Sequence, residues 1–304
     1  MAPTQLIDFS PNITDMFFAI SQKSLNESLS EYLTSLKSQI SWAFDVNSDN
    51  GELNLPANPT SPNISFSGTL APPASPASGG TPVWTVDLSQ AGTRNQVTLN
   101  LTFANGARFT DNQLSHTYVQ PIAKGDPQWV VAFQVEFKIK KVKDETTLPS
   151  WLQKHMTSLR GKFGQVFDIS QVALDLTTLS LSVPSEASPP SGFLSYDWTL
   201  FARGTLAYLQ SLQWNPSGIW TSPPSGGYAV TYNGNQPAKP LGIAPTEVDF
   251  VILPNSNNPA ASTLVLAFKI DGIFTSSSNT DFADVTLISD PTTTPGIAFV
   301  KARP

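Results

Sequence analysis

The chain has 304 residues, 13% of them charged, with a formal net charge of −6 and no cysteine. Such a length can bury a large core in one domain or two, and the missing thiols exclude disulfide scaffolds, thiolate metal sites and cysteine nucleophiles. An acidic chain repels phosphates, so nucleic acid is not an expected partner, and Ser, Thr, Asn and Gln must supply much of the polar surface, as in β-rich folds.

Met1-Ala2-Pro3-Thr4-Gln5 has no basic stretch leading into an apolar one, and no run approaches the ~18 consecutive apolar residues that a spanning helix needs. The expectation is a cytoplasmic protein with no signal peptide and no transmembrane segment, any export being independent of a signal. Sequons at Asn12, Asn26, Asn63 and Asn100 are then by-products of Ser/Thr richness.

In chain order, Asp15-Met16-Phe17-Phe18-Ala19-Ile20-Ser21 reads as a short apolar strand. Ser24-Leu25-Asn26-Glu27 follows with the spacing of a capping box. Leu25, Leu29, Tyr32, Leu33, Leu36 and Ile40 fall on one stripe, predicting a long amphipathic helix over Ser24 to Ile40. Ser41 to Val46 reads as a strand and Asn47 to Pro62 as a turn-rich loop. Strands resume at Ile64 and Phe66, at Val83 to Leu88, and at Val97, Leu99, Leu101 and Phe103.

The longest alternation sets Val131, Phe133, Val135, Phe137 and Ile139 against Ala132, Gln134, Glu136, Lys138 and Lys140. A second helix is predicted over Leu148 to Arg160, with Trp151, Leu152, His155, Met156 and Leu159 on one face. Val172, Leu174 and Leu176 alternate, then slip phase at Thr177-Thr178 before Leu179, Leu181 and Val183, which predicts a β-bulge. Pro184 to Gly192 reads as a linker. Trp198 to Leu212 gives a third helix, weakened by Gly204. The last third returns to strands at Val248 to Ile252, Leu264 to Ile270, Val285 to Leu287 and Ile297 to Phe299.

Catalytic groups are scarce. His116 and His155 are the only histidines, and neither has a second strong ligand beside it in sequence. No G-x-S-x-G, G-x-G-x-x-G or Walker-type lysine occurs. Asp45-Val46-Asn47-Ser48-Asp49-Asn50-Gly51 begins like a calcium loop, but its glycine is one place late and Pro56 stands where a bidentate Glu is needed. It reads as a tight turn. Asp281, Asp284 and Asp290 read as a solvated edge with its turns. No metal and no cofactor is expected. Lys138, Lys140, Lys141 and Lys143 form one basic concentration. Lys138 and Lys140 share a strand face and could meet an anionic headgroup, or could guard a strand edge.

The opening residues Asp15 to Ser21, with Leu25-Asn26 behind them, resemble the start of the TULIP (tubular lipid-binding) proteins of OrfX type encoded beside clostridial neurotoxins. Ser67-Gly68-Thr69, a spacer, then Trp84 and Val86 are similar to the Gly-Thr/Ser strand and Trp-centred strand of that family. Here Gly79-Gly80 precedes the tryptophan strand, where the family places its pair after it. The resemblance covers the first hundred residues or so. It implies an α+β fold in which a long helix is wrapped by a highly curved antiparallel sheet. It also implies an apolar or lipid ligand, a toxin-associated gene cluster that would supply a protein partner, and no catalytic residues.

The expectation is therefore a single α+β TULIP-like domain over 1–304, with a subdivision near 184–192 as its variant. The Ser24–Ile40 helix is the rod, strands from 64 to 139 form the main sheet, and two further helices follow. The expected function is non-catalytic binding of an apolar or lipid-like molecule in a cavity lined by Leu25, Leu29, Tyr32, Leu36, Phe133, Val135 and Phe137. Two alternatives stand beside it: a ligand-free interaction or toxin-accessory scaffold, and a cyclase or isomerase using an apolar cavity.

Overall fold

The structure, a computed structural model, describes residues 16–27, 39–69, 84–89, 95–120, 129–141, 146, 150–163, 167–181, 189–190, 192–212, 227–232, 245–269 and 286–300. These residues form a mixed α+β, strand-rich protein, with three helices and open antiparallel sheets. The chain separates into two compact units built from interleaved segments. One holds Met1–Ser24, Lys138–Ala173 and Ser225–Pro304; the other holds Leu25–Phe137 and Leu174–Pro224, so 184–192 lies within the second.

In the first unit β1 (Met16–Ser21) lies between strands from the far end of the chain. β13 (Thr263–Lys269) pairs on one side, with Ala19 opposite Val265, and β14 (Gly296–Val300) on the other, with Ala19 opposite Ile297. β12 (Glu247–Leu253) extends this four-stranded sheet beyond β13. Phe17, Ala19, Val251, Leu253 and Val265 pack together, with Leu287 and Ile297 against them.

All seven residues of β13 are buried, so both of its faces are covered and alternation alone understated it. The strand expected at Val285 to Leu287 does not form: 286–287 are irregular, Val285 is outside the described residues, and Leu287 reaches the core from a bend. β11 (Gly227–Tyr232) pairs with the opening of β10 (Phe167–Leu181), Ile169 facing Val230.

The start of the first helix also differs from expectation. The described part of α1 covers 22–27, and Ser21 Oγ accepts the Ser24 N–H at 3.2 Å. Ser21 is thus the cap, and Ser24 sits in the third helical position. Residues 28–38, with Leu29, Tyr32, Leu33 and Leu36, lie outside the described residues. Ile40 belongs to β2 (Gln39–Val46), opposite Gly68, so the helix does not extend to Ile40. The physical reason is that a spacing of four, as from Leu36 to Ile40, satisfies the helical and the strand period alike.

α2 (Ser150–Phe163) buries Leu152 and Met156 one turn apart, whereas His155 is exposed. His155 thus falls outside the buried stripe, and the side chains of Trp151 and Leu159 are not described.

In the second unit one sheet runs β3-β2-β4-β7-β8, with β3 (Leu53–Asn54), β4 (Ile64–Thr69), β7 (Arg108–Asp111) and β8 (His116–Val119). β5 (Trp84–Asp87), β6 (Gln96–Thr102) and β9 (Val130–Lys141) belong to another, in which β6 lies between β5 and β9. The strands between 64 and 139 therefore divide between two sheets rather than forming one main sheet. The residues from 104 to 120 turn back beside β4, which separates β7 and β8 from β6.

Trp42, Phe66 and Phe109 stand in one cross-strand row, and α3 (Ser195–Leu212) lays Phe201 over it, 5.0 Å from Phe66 and 6.3 Å from Trp42 between ring centroids. Gly204 of α3 admits the Trp42 indole: a Cβ there would lie 2.3 Å from its Cη2. The residue that weakens the helix in isolation is what lets helix and sheet approach.

One local expectation stands, the tight turn after Asp45. Asp45 Oδ2 and Oδ1 accept the N–H groups of Ala57 and Asn63 at 2.8 and 3.0 Å. Gly51, at φ +69°, donates its N–H to the Asn47 carbonyl, closing a turn whose Gly51 carbonyl receives Arg203 Nη2 at 2.7 Å. In β10 the phase slip coincides with Asp175 Oδ1 accepting from Thr177 N and Oγ1. There the Glu136 N–H donates to the Thr178 hydroxyl at 2.9 Å.

Candidate functional site

Of the residues expected to line a cavity, Leu25, Phe133, Val135 and Phe137 are buried, while Leu29, Tyr32 and Leu36 lie outside the described residues. Val86, Leu99 and Phe133 are cross-strand partners in β5, β6 and β9, forming one buried apolar row. Asn26, next to Leu25, fixes the start of the helix to the end of that row. Its side-chain nitrogen donates to the Val86 carbonyl at 3.0 Å and its oxygen accepts the Val86 N–H at 2.9 Å. One carboxamide thus offers the edge strand the donor and acceptor that a further strand would supply. Lys138 is exposed and the side chain of Lys140 is not described; Lys141 pairs with Asp168 at 3.2 Å in the open.

A second constellation was not expected. Asp111 ends β7, His116 opens β8 directly opposite it, and Tyr118 follows two residues on. The first turn of α3 brings Asp197, which has no solvent exposure, against them. Asp197 Oδ2 accepts the Tyr118 hydroxyl at 2.6 Å and lies 2.8 Å from His116 Nδ1, whose side chain is 35% exposed. Facing a carboxylate oxygen, Nδ1 carries the ring proton, and Nε2 is the nitrogen left for other work. The Tyr118 ring stacks on Phe193 at 3.9 Å and 10°.

Asp111 Oδ1 accepts the N–H groups of Gln113 and Leu114 and holds the β7–β8 turn, in which Ser115 takes φ +57°. Asp111 Oδ2 and Asp197 Oδ1 are buried and have no hydrogen-bond donor among the described residues. Asp197 is bonded to His116, the residue directly opposite Asp111, so the two carboxyls share one dry setting in which a proton on one would give the orphaned oxygens a donor. Burial raises the Asp111 carboxyl above its ordinary value; the two turn N–H bonds oppose this, and the adjoining Asp197 adds to it. Burial, then the bond to Asp197, pushes the Tyr118 hydroxyl up to about 12.

Chemically, the arrangement can hold a proton between carboxyls and orient an imidazole. Among the described residues no group of three His, Cys, Asp or Glu is placed to hold a metal ion, and no helix is long and apolar enough to cross a membrane. Sequence reasoning missed the cluster because Asp197 lies 81 residues from His116. Its one sequence signal was a lone histidine across an Asp-Asn-Gln-Leu-Ser turn from Asp111.

No protein-family signature matches the chain, and no curated protein matches it. Among solved structures it is similar to P47 from Clostridium botulinum A2, with a TM-score of 0.49 and 10% identity over 88% of this chain. The match covers 48% of P47, so the chain spans about half the length of that protein.

Proposed function

We propose that this protein is a non-catalytic binder of an apolar, lipid-like molecule, held between the helix that opens at residue 22 and the β5–β6–β9 face. The observation that carries the reading is the double hydrogen bond of Asn26 to Val86, which starts the helix at the end of the Val86–Leu99–Phe133 row. Further support comes from the resemblance of residues 15–26 to OrfX-type TULIP proteins, and from the sequence-predicted stripe of Leu25, Leu29, Tyr32 and Leu36. An acyl chain in such a space gains about 0.8 kcal/mol per buried methylene, so a chain of medium length suffices for micromolar affinity after the ordering costs.

The test is titration of the intact protein with a fluorescent fatty-acid probe, alongside native mass spectrometry of the purified protein. Saturable binding that Leu36→Trp weakens at unchanged thermal stability is the expected result. No saturable binding, with no apolar molecule co-purifying, overturns the reading.

One observation favours a second reading, the ligand-free scaffold. Under α3 the space is filled by Trp42, Phe66, Phe103, Phe109 and Phe201, with ring centroids 5.0 to 6.3 Å apart. A unit packed in this way needs no ligand to be stable.

A further inference from the structure

We propose that Asp111, Asp197, His116 and Tyr118 form a proton-dependent clasp, in which one proton shared by the two buried carboxyls holds the β7–β8 turn to the first turn of α3. The geometry carries this. Asp111 is bonded on one oxygen to the turn itself, through Gln113 and Leu114. Its other oxygen and Asp197 Oδ1 are both buried without a donor among the described residues, and Asp197 is bonded to the residue directly opposite Asp111, so a shared proton can turn two acceptors into a hydrogen bond. From the other side, Asp197 Oδ2 is bonded to His116 and Tyr118 of β8. The clasp therefore joins three segments distant in sequence: the end of β7, β8 and the start of α3.

Among the described residues, the titratable groups at the pair come from three elements. β7 contributes Asp111, β8 contributes His116 and Tyr118, and α3 contributes Asp197; the charges acting on Asp111 and Tyr118 come from these two carboxyls. Arg203 of α3 is engaged elsewhere, with the Gly51 carbonyl. His116 reaches the pair from β8 through its bond to Asp197, and loss of the shared proton leaves two buried carboxylates side by side.

The sign follows from linkage. The folded state holds the Asp111 proton more tightly than the unfolded chain, whose aspartates have the ordinary value of 3.8. The clasp is closed below that value, and its contribution is lost as pH rises through the elevated folded value. The segments it joins carry the exposed side chains Leu114, Val119, Leu194 and Tyr196. The proton accordingly controls the local geometry of an apolar stretch of surface.

Amide hydrogen exchange of the intact protein from pH 4 to pH 9, expressed as protection relative to the intrinsic rate at each pH, tests the clasp. In the wild type, protection in 112–119 and 193–199 falls about tenfold for each unit by which the folded value exceeds the free one, while the β1–β13 amides hold. Asp111→Asn keeps an acceptor for the turn and a neutral donor for Asp197, so its protection in these segments stays level with pH. Carbon-13 carboxyl NMR of wild-type Asp111 needs no variant and gives a midpoint above 3.8. A midpoint at or below that value, unchanged wild-type protection across the range, or an undiminished pH response in Asp111→Asn each overturns the clasp.

Discussion

Substituting Gly204 by alanine separates two effects that ordinarily act together. At an open helical position the change stabilises by about 1 kcal/mol, because glycine loses more backbone freedom on folding. Here a Cβ would lie 2.3, 2.5 and 2.7 Å from three atoms of the Trp42 ring, where contacts below 3.0 Å are essentially never found. The ring cannot simply swing aside. Phe44, Phe66, Phe109 and Phe201 surround it at centroid distances of 5.6 to 6.3 Å. Overpacking of this kind costs about 1–3 kcal/mol, and three rigid contacts argue for the upper end. The net expectation for Gly204→Ala is a loss of about 2 kcal/mol, or a urea midpoint about 1 M lower at a slope near 2 kcal/mol/M. Urea unfolding followed by tryptophan fluorescence measures it. Trp42→Phe supplies the control: it opens space, and the indole N–H it removes is buried without an acceptor among the described residues. The double variant should lie above the sum of the singles by at least about 0.5 kcal/mol. A Gly204→Ala protein as stable as the wild type would refute the argument that close approach selects glycine here.

Asn26→Ala removes both hydrogen bonds to Val86 and should cost about 1–3 kcal/mol in urea unfolding; Asn26→Asp, which turns an anion toward the Val86 carbonyl, should cost at least as much. Two harmless substitutions would show that the helix start is not held there. The Tyr118 hydroxyl, pushed up to about 12 from 10.0, keeps its proton longer in the folded state. Its stabilising share is therefore present below pH 10 and lost as pH rises towards 12; since burial raises Tyr208 too, absorbance at 295 nm should show more than one tyrosine ionising late, and Tyr118→Phe should remove one equivalent of that late step. Leu25→Ala, at a buried site on the helix stripe, should destabilise by about 2–5 kcal/mol; a loss below about 1 kcal/mol would place that stripe outside the core. EDTA should leave the melting temperature unchanged, because both Asp45 oxygens are held by backbone N–H groups, and a drop restored by calcium would contradict this.

The strands were legible where one face is buried and the other is not. Val97, Leu99 and Leu101, and Val131 to Phe137, have strict alternation in sequence and strict alternation in burial. The change of phase between buried Leu174 and buried Leu179 was legible for a related reason, since an odd spacing puts two inward-facing residues out of step. Pairing was not legible. β1 lies between strands that begin at Thr263 and Gly296, and no periodicity within residues 16–21 specifies partners at that distance. The limits of α1 failed at both ends for local reasons. Ser21 and Ser24 are equally good caps by residue type, and only the hydrogen bond from the Ser24 N–H to Ser21 Oγ decides between them. Ile40 fits a helix stripe and a strand face equally well.

Asn26 and Asp197 mark the boundary between what pattern can reveal and what it cannot. Asn26 was visible as a feature of the opening motif, yet its task depends on Val86, 60 residues away, and nothing in the motif joins the two. Asp197 stands one residue before the helix expected from Trp198 and was not singled out; the structure puts it in the first turn of α3, where an acidic residue favours the helix dipole and is ordinarily solvated. The difference lies in what surrounds it. Phe193 and Trp198 are buried beside it in sequence, and β8 closes over it through Tyr118 and His116, so water is replaced by two side-chain donors and a second carboxyl. A carboxylate in that position is stable only with its partners in place, and those partners come from a hairpin formed some eighty residues earlier. The ionisable cluster is thus a product of tertiary packing: the same aromatic residues that fill the space under α3 create the dry setting in which one proton can hold two segments together.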